Sequence, residues 1–253
     1  GFVVTWQSQR QDGSGDGISG QRYHADGTTA GSEFLINTET INNQSNPSVA
    51  SLSNGGFLVT WDSYQDGNDD SLGIYGQRFA ADGNASGDEF QINTYTSSSQ
   101  SNPSVTSLAD GGFVVTWTSV NQDGDGSGVF GQCYDADGTV SGSEFQINTH
   151  TSGGQYTPSV ASLADGGFVV TWNSSAQEEG SSAGVYGQRY NADGTTSGSE
   201  LHINTYITSE QGSPNVTSLH DGGFLVTWNS WEQDGSGWGI YGQRFTADGF
   251  TAG

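Results

Sequence analysis

Three stretches of this chain alternate oxygen-bearing side chains with small residues, the arrangement that hard cations favour. Residues 12–17 read DGSGDG and place Asp12, Ser14 and Asp16 at every second position before Gly17. Residues 66–71 read DGNDDS and offer Asp66, Asn68 and Asp70; residues 123–128 read DGDGSG and offer Asp123, Asp125 and Ser127. Alternating oxygens that converge at a glycine-permitted turn are the opening of a calcium loop. No glutamate stands at the twelfth position, which is Tyr23 in the first stretch, so an EF-hand is excluded and carbonyls, water or a distant carboxylate would complete the shell. A glycine- and aspartate-rich hairpin that binds nothing is the competing reading. Two later copies lose the pattern: residues 234–239 keep Asp234 but bring Trp238 into the ligand position, and residues 177–184 read QEEGSSAG. The expectation is therefore structural Ca²⁺ in the first three copies.

Other chemistry is sparser. Tyr64, Trp231 and Trp238 stand outside the repeated phrases, in the same variable stretches as Asp234, and aromatic faces beside polar groups suit a sugar ring. His24, His150, His202 and His220 have no metal-like spacing. Cys133 is the single cysteine, so no intrachain disulfide forms, and no histidine stands near it to activate a nucleophile.

These stretches sit inside a repeat. Trp6, Trp61, Trp117, Trp172 and Trp228 follow one another at intervals of 55 or 56 residues, each closing a phrase such as GGFVVTW. A second phrase, GQR or GQC, starts at Gly20, Gly76, Gly131, Gly187 and Gly242. Two more, of the types EFQIN and PSVTSL, occur four times each. Each phrase alternates like a strand, and the DGG and ADG triplets between them favour tight turns. Four short strands in about 55 residues match a propeller blade better than an immunoglobulin sandwich or a solenoid turn. The sequence predicts an all-β chain: a five-bladed β-propeller of four-stranded antiparallel blades with incomplete terminal blades, or a propeller-like repeat array. The blades fall near 1–46, 47–102, 103–157, 158–213 and 214–253 of a single repeat domain.

Within that frame most charged residues obey the repeat. Asp26, Asp82, Asp137, Asp193 and Asp248 read as turn caps, as do Asp110, Asp165 and Asp221, where Asn54 substitutes in the second repeat. Trp6, Trp61, Trp117, Trp172 and Trp228 read as core. Arg22, Arg78, Arg189 and Arg244 share one position and are expected to be structural, stacking on a repeat Trp or pairing with the repeated glutamates Glu33, Glu89, Glu144 and Glu200.

The overall charge narrows the partners. Five Lys plus Arg against 28 Asp plus Glu give a formal net charge of -23. Nucleic acid and anionic membranes are disfavoured, since both recruit basic groups, and no apolar run is long enough for a membrane helix. Cations and neutral glycans suit the field. The chain opens mid-phrase and is expected to belong to something longer, so the missing leader says little about export.

The phrases PSVTSLADGGFVVTW, QDGSG, GVYGQRYNADGT and EFQINT resemble tandem repeats of very large secreted bacterial proteins grouped with RTX or hemolysin-type calcium-binding adhesins. That resemblance implies export, calcium and adhesion. The RTX nonapeptide run itself is absent, so its β-roll does not carry over. Repeat number and length also look like five-bladed lectins of the tachylectin kind. The expectation is a non-enzymatic, secreted or cell-surface, calcium-stabilised module for adhesion, with glycans as partners and self-association open. A surface-layer or filament building block is the second reading. A sialidase-like glycoside hydrolase comes last, because it needs an asymmetric set of charged groups at one centre.

Overall fold

The computed structural model describes residues 1–65, 71–177 and 183–252. The chain is all-β, with five antiparallel sheets of three, four, four, four and three strands in sequence order. No helix among the described residues is long and apolar enough to cross a membrane. Each complete sheet runs in chain order from an inner strand (Gln44–Ser51 in the second sheet), through the Trp strand (Phe57–Ser63) and the GQ strand (Gly73–Phe79), to an outer strand (Phe90–Gln91). The first sheet has no inner strand, and the fifth ends in a single outer bridge, Phe245 to Thr251.

The DGG triplet makes the turn before each Trp strand for steric reasons. In the third sheet Gly111 adopts φ 93°, and a Cβ on Gly112 would stand 2.4 Å from the Tyr134 carbonyl oxygen. Asp110 closes the turn by accepting the Gly112 amide at 2.9 Å. The third residue of the triplet therefore tolerates no side chain, and the first needs only an Asx acceptor, which Asn54 also supplies to Gly56 at 2.9 Å.

Alternation along the strands gives every sheet two apolar faces. In the second sheet Phe57, Val59 and Trp61 face back onto Val3, Ile18 and Ile36 of the first, while Leu58, Ile74 and Ile92 face forward onto Phe113, Val115 and Trp117 of the third. The same forward-to-back packing recurs between the third and fourth and between the fourth and fifth sheets. Trp61, Trp117 and Trp172 are fully buried and Trp228 nearly so, whereas Trp6 is only half-buried because no sheet lies behind it.

The buried polar residues of the repeat hold strands together. Asn148 accepts the Val129 amide at 2.7 Å and donates to the His150 carbonyl and the Gln155 side chain. Asn37, Asn93 and Asn204 also accept the matching GQ-strand amide. The repeated glutamates tie neighbouring sheets. Glu144 accepts the backbone and hydroxyl of Thr94 in the preceding sheet at 2.7 and 2.9 Å; Glu89 and Glu200 do the same with Thr38 and Thr149. Glu144→Ala removes these two charge-assisted hydrogen bonds and a third from the Gln122 side chain at a half-exposed seam, and is expected to lower the unfolding free energy by roughly 1–2 kcal/mol in urea denaturation.

The arginines therefore do not pair with the repeated glutamates. Arg22 and Arg78 reach the next sheet's ADG turn and donate to the backbone carbonyls of Asp82 and Asp137. Arg189 pairs with Asp165 of its own sheet at 2.9 Å, and Arg244 with Asp221. The space over the repeated glycine is filled by aliphatic and aromatic side chains: a Cβ on Gly76 would meet Ile92 at 3.1 Å and Phe90 at 3.2 Å. The faces of Trp61, Trp117, Trp172 and Trp228 are taken by the sheet behind, which leaves them no room for a stacked guanidinium.

Candidate functional site

The inner strands Gln44–Ser51, Gln100–Ser107, Gln155–Ser162 and Gln211–Ser218 stand side by side around a common axis. Each carries a proline in a run of otherwise ordinary strand residues. Proline donates no ladder hydrogen bond, and the pairing with the Trp strand slips at that point in all four sheets. The residue before each proline takes up the bulge in a left-handed conformation: Asn46 at φ 52°, Asn102 at 54°, Thr157 at 50° and Ser213 at 49°. Short polar residues therefore stand at these positions beside the space between the strands. Serines one turn deeper stitch the strands together. Ser48 accepts the Val105 amide at 3.2 Å, Ser104 that of Val160 at 3.2 Å, and Ser159 that of Val216 at 3.1 Å.

The result is an axial pocket of about 380 Å³, lined by the Asn-Pro-Ser, Thr-Pro-Ser and Ser-Pro-Asn triplets of the four sheets. Its lining holds amides, hydroxyls and proline rings and no charged side chain. One carboxyl stands directly behind it. Asp62, the residue after Trp61, is fully buried and accepts hydrogen bonds from the Ser45 hydroxyl, the Asn46 amide at 2.8 Å and the Asn102 backbone at 3.1 Å. Burial pushes its pKa above the usual carboxylate value, and the three donors pull it back without prevailing. Asn46 and Asn102 are both its partners and part of the pocket wall, and Asn46 is exposed, so its side chain is the cover between Asp62 and the axial space.

Sequence reasoning missed Asp62, although the signal was present. The residues after the other repeat tryptophans are Gln7, Thr118, Asn173 and Asn229, so the second repeat alone puts an acid there. The neutral counterparts take up similar bonds: Thr118 accepts the Thr157 amide at 3.2 Å, and Asn173 accepts the Thr157 hydroxyl. Asn229 has a buried oxygen with no partner.

The residues singled out from sequence do not gather into one centre. Asp12 accepts the Ser14 amide at 3.1 Å and the Asn37 side chain at 3.4 Å, while Asp16 accepts from Gln7 at 2.8 Å. Asp123 accepts the Asp125 amide at 3.3 Å, Asp125 faces the Gly153 amide at 3.4 Å, and Ser127 is buried in its strand. Asp234 closes the same kind of Asx turn on Ser236. Asp66, Asn68 and Asp70 lie outside the described residues. Among the described residues no group of three His, Cys, Asp or Glu side chains is placed to hold a metal. Tyr64 is half-buried beside the second sheet, and Trp231 and Trp238 meet edge-on at 5.3 Å on the far flank of the fifth. Cys133 is buried, with its thiol pushed up to about 11 mainly by desolvation, and stays protonated.

No family model matches the chain, and no curated protein does. Solved structures do. A Penicillium chrysogenum α-L-arabinanase, solved with arabinobiose, superposes with a TM-score of 0.63 at 15% identity over 83% of this chain and 66% of that one. This chain shares its fold with glycoside hydrolases. A Fusarium graminearum α-L-arabinofuranosidase, solved with an iminosugar inhibitor, gives 0.61 at 12% identity over 83% and 65%. A thermostable family-43 glycoside hydrolase gives 0.54 at 12% identity, over 100% of this chain and 94% of that one. The chain thus spans just under two thirds of the length of the first two.

These likenesses correct the expectation of a non-enzymatic adhesion or building-block module: the solved structures this chain resembles degrade glycans. The glycoside hydrolase reading, placed last on sequence, is the one they favour. Most charged residues obey the repeat, but Asp62 is an acid where the other repeats have Gln7, Thr118, Asn173 and Asn229.

Proposed function

We propose that the chain is a carbohydrate-active β-propeller of the glycoside hydrolase class, working outside the cell on a neutral glycan held at the axial pocket. The observation that carries this reading is Asp62, a carboxyl raised in pKa and set asymmetrically behind an axial wall of neutral hydrogen-bonding groups. A carboxyl whose pKa is raised above the ordinary value by burial is better suited to general acid catalysis than an exposed one. In this role Asp62, uncovered by Asn46, gives its proton to the glycosidic oxygen as the bond to the anomeric carbon breaks. Water delivers hydroxide to that carbon, and its remaining proton passes to solvent. The pocket's lack of charge fits a neutral polyhydroxyl substrate, and the arabinobiose found in the Penicillium neighbour makes arabino-oligosaccharides the first substrates to test. Five sheets around one axis are compatible with a five-bladed ring.

Incubation with a panel of neutral oligosaccharides, followed by chromatography of the products, is expected to show shorter sugars released by the wild type and not by Asp62→Asn. Absence of release from every member of the panel overturns the proposal. Calcium in the Asp-Gly loops is retained as a separate proposal, supported by the alternation of Asp12, Ser14 and Asp16 and by the partnerless, buried oxygen of Asp123. Carbonyls and water would have to supply most of such a shell. On this proposal a chelator lowers the melting temperature by several degrees, and an unchanged melting temperature removes it.

A further inference from the structure

The inner strands follow one pattern, and the fourth sheet breaks it beside the axis. After the glutamine that opens each strand, Ser45, Ser101 and Gly212 stand where the fourth sheet has Tyr156. Strand pairing sets each of these opposite the residue after the repeat tryptophan: Ser45 opposite Asp62, Ser101 opposite Thr118, Tyr156 opposite Asn173 and Gly212 opposite Asn229. Tyr156 directly precedes Thr157, which lines the axial pocket, just as Ser45 precedes Asn46. Asp62 and Tyr156 therefore stand at the same end of that pocket, with the third sheet's inner strand between theirs.

The neighbouring residues make room for a ring at this position. The ring lies over Gly154, where a Cβ would run into its phenol end; the other sheets have Asn43, Ser99 and Glu210 there. Gly154 is itself pinned, its amide donating to the Ser175 hydroxyl at 2.8 Å and its carbonyl accepting the Ser175 amide at 2.9 Å. Tyr134 and Tyr190 are buried and stacked on Phe113 and Phe168. Tyr156 is 38% exposed and meets no other ring among the described residues. A tyrosine so placed presents an apolar face with a polar tip, beside neutral amides and hydroxyls, and a sugar ring matches both.

We propose that Tyr156 is the platform on which one unit of the glycan stacks while the bond to be cut lies at Asp62. This rests on the proposed function and deepens it. The substrate is an oligosaccharide that crosses the end of the axial pocket from the second sheet to the fourth, rather than a single sugar on a small leaving group. The C–H face of a sugar ring packs on the phenol ring, which leaves its hydroxyls to the Asn46, Asn102 and Thr157 side of the wall. Stacking of this kind contributes on the order of tenfold in affinity.

Calorimetric titration of the neutral oligosaccharide panel into Asp62→Asn, which leaves bound sugar uncut, tests the proposal. Adding Tyr156→Ser, the residue that the second and third sheets carry, is expected to weaken binding roughly tenfold and to leave the melting temperature unchanged. Tyr156→Phe keeps the ring and is expected to stay within about twofold of the parent. In proton NMR the bound sugar's C–H signals are expected to shift upfield over the ring and to lose that shift in the serine variant. Equal affinities with Tyr156 and Tyr156→Ser overturn the proposal, as does a panel of which no member binds. Product release judges the hydrolase reading separately. A wild type that binds through Tyr156 and releases nothing keeps the platform and loses the acid role of Asp62. Release with a KM that Tyr156→Ser leaves unchanged keeps the acid role and removes the platform.

Discussion

Trp117→Ala is expected to lower the free energy of unfolding by about 3–5 kcal/mol, the loss typical of a fully buried aromatic cut back to a methyl. Trp117 is 0% exposed, lies at the back of the third sheet and packs against Leu58, Ile74 and Ile92 of the second. Its deletion opens a cavity at a joint between two sheets as well as in one of them. In a repeat architecture, stability is a sum of unit and neighbour terms, so the loss falls on the coupling term and broadens the transition. Trp117→Phe separates bulk from polarity: the indole nitrogen has no partner in the structure, and that substitution is expected to cost well under half as much. Urea denaturation followed by circular dichroism reads both effects. An alanine variant within 1 kcal/mol of wild type would mean that the sheets are not held by the repeated tryptophans.

The second large effect is on pH dependence. Burial of the Asp62 anion raises its folded-state pKa above the ordinary value of 3.8, against the opposing pull of Ser45, Asn46 and the Asn102 amide. Between the unfolded and folded pKa values the native state therefore binds more protons than the unfolded state, and stability falls as pH rises. Asp62's contribution is fully present below the unfolded pKa and is lost as pH passes the folded one. Asp26, Asp137 and Asp193 act in the opposite sense. Hydroxyls of Thr28, Thr139 and Thr195, first among their hydrogen-bond partners, hold these turn carboxyls below the usual range, so their contribution is lost as pH falls. The difference between wild type and Asp62→Asn isolates the first effect. Asparagine already stands at the matching positions Asn173 and Asn229, so the carboxamide is expected to fit, to stabilise the protein at neutral pH by on the order of 1 kcal/mol, and to remove this slope. Equal pH–stability curves for the two proteins would contradict the account.

Much of this fold was legible because its devices repeat. The interval between Trp61 and Trp117, the strand alternation of FVVTW and the turn logic of DGG each follow from local sterics, and the structure bears out the all-β sheets of three to four antiparallel strands. Pairings that depend on where neighbouring sheets meet were not legible. Whether Arg78 meets Glu144 or the Asp137 carbonyl depends on inter-sheet offset, which no single repeat encodes. The Trp positions read as uniform core from the sequence, and Trp6 departs from them because burial there requires a sheet behind. The site escaped for another reason. The variable loops carry the visible oxygen-rich pattern, yet Asp12 and Asp123 close Asx turns on Ser14 and Asp125. Asp62 looked like one more polar residue at the end of a strand. Its meaning comes from the proline bulge at Asn46, which brings two strands of different sheets onto one carboxyl.

The functional reading turns on Asp62, a buried carboxyl with its pKa raised where the other repeats put neutral residues. The direct measurement is a carbon-13 NMR titration of the Asp62 side-chain carboxyl, assigned by its loss in Asp62→Asn. The account predicts a midpoint displaced upward from the ordinary aspartate value, and a further change when an arabino-oligosaccharide is added. A carboxyl that titrates at or below the ordinary value, and does not respond to sugar, would contradict it.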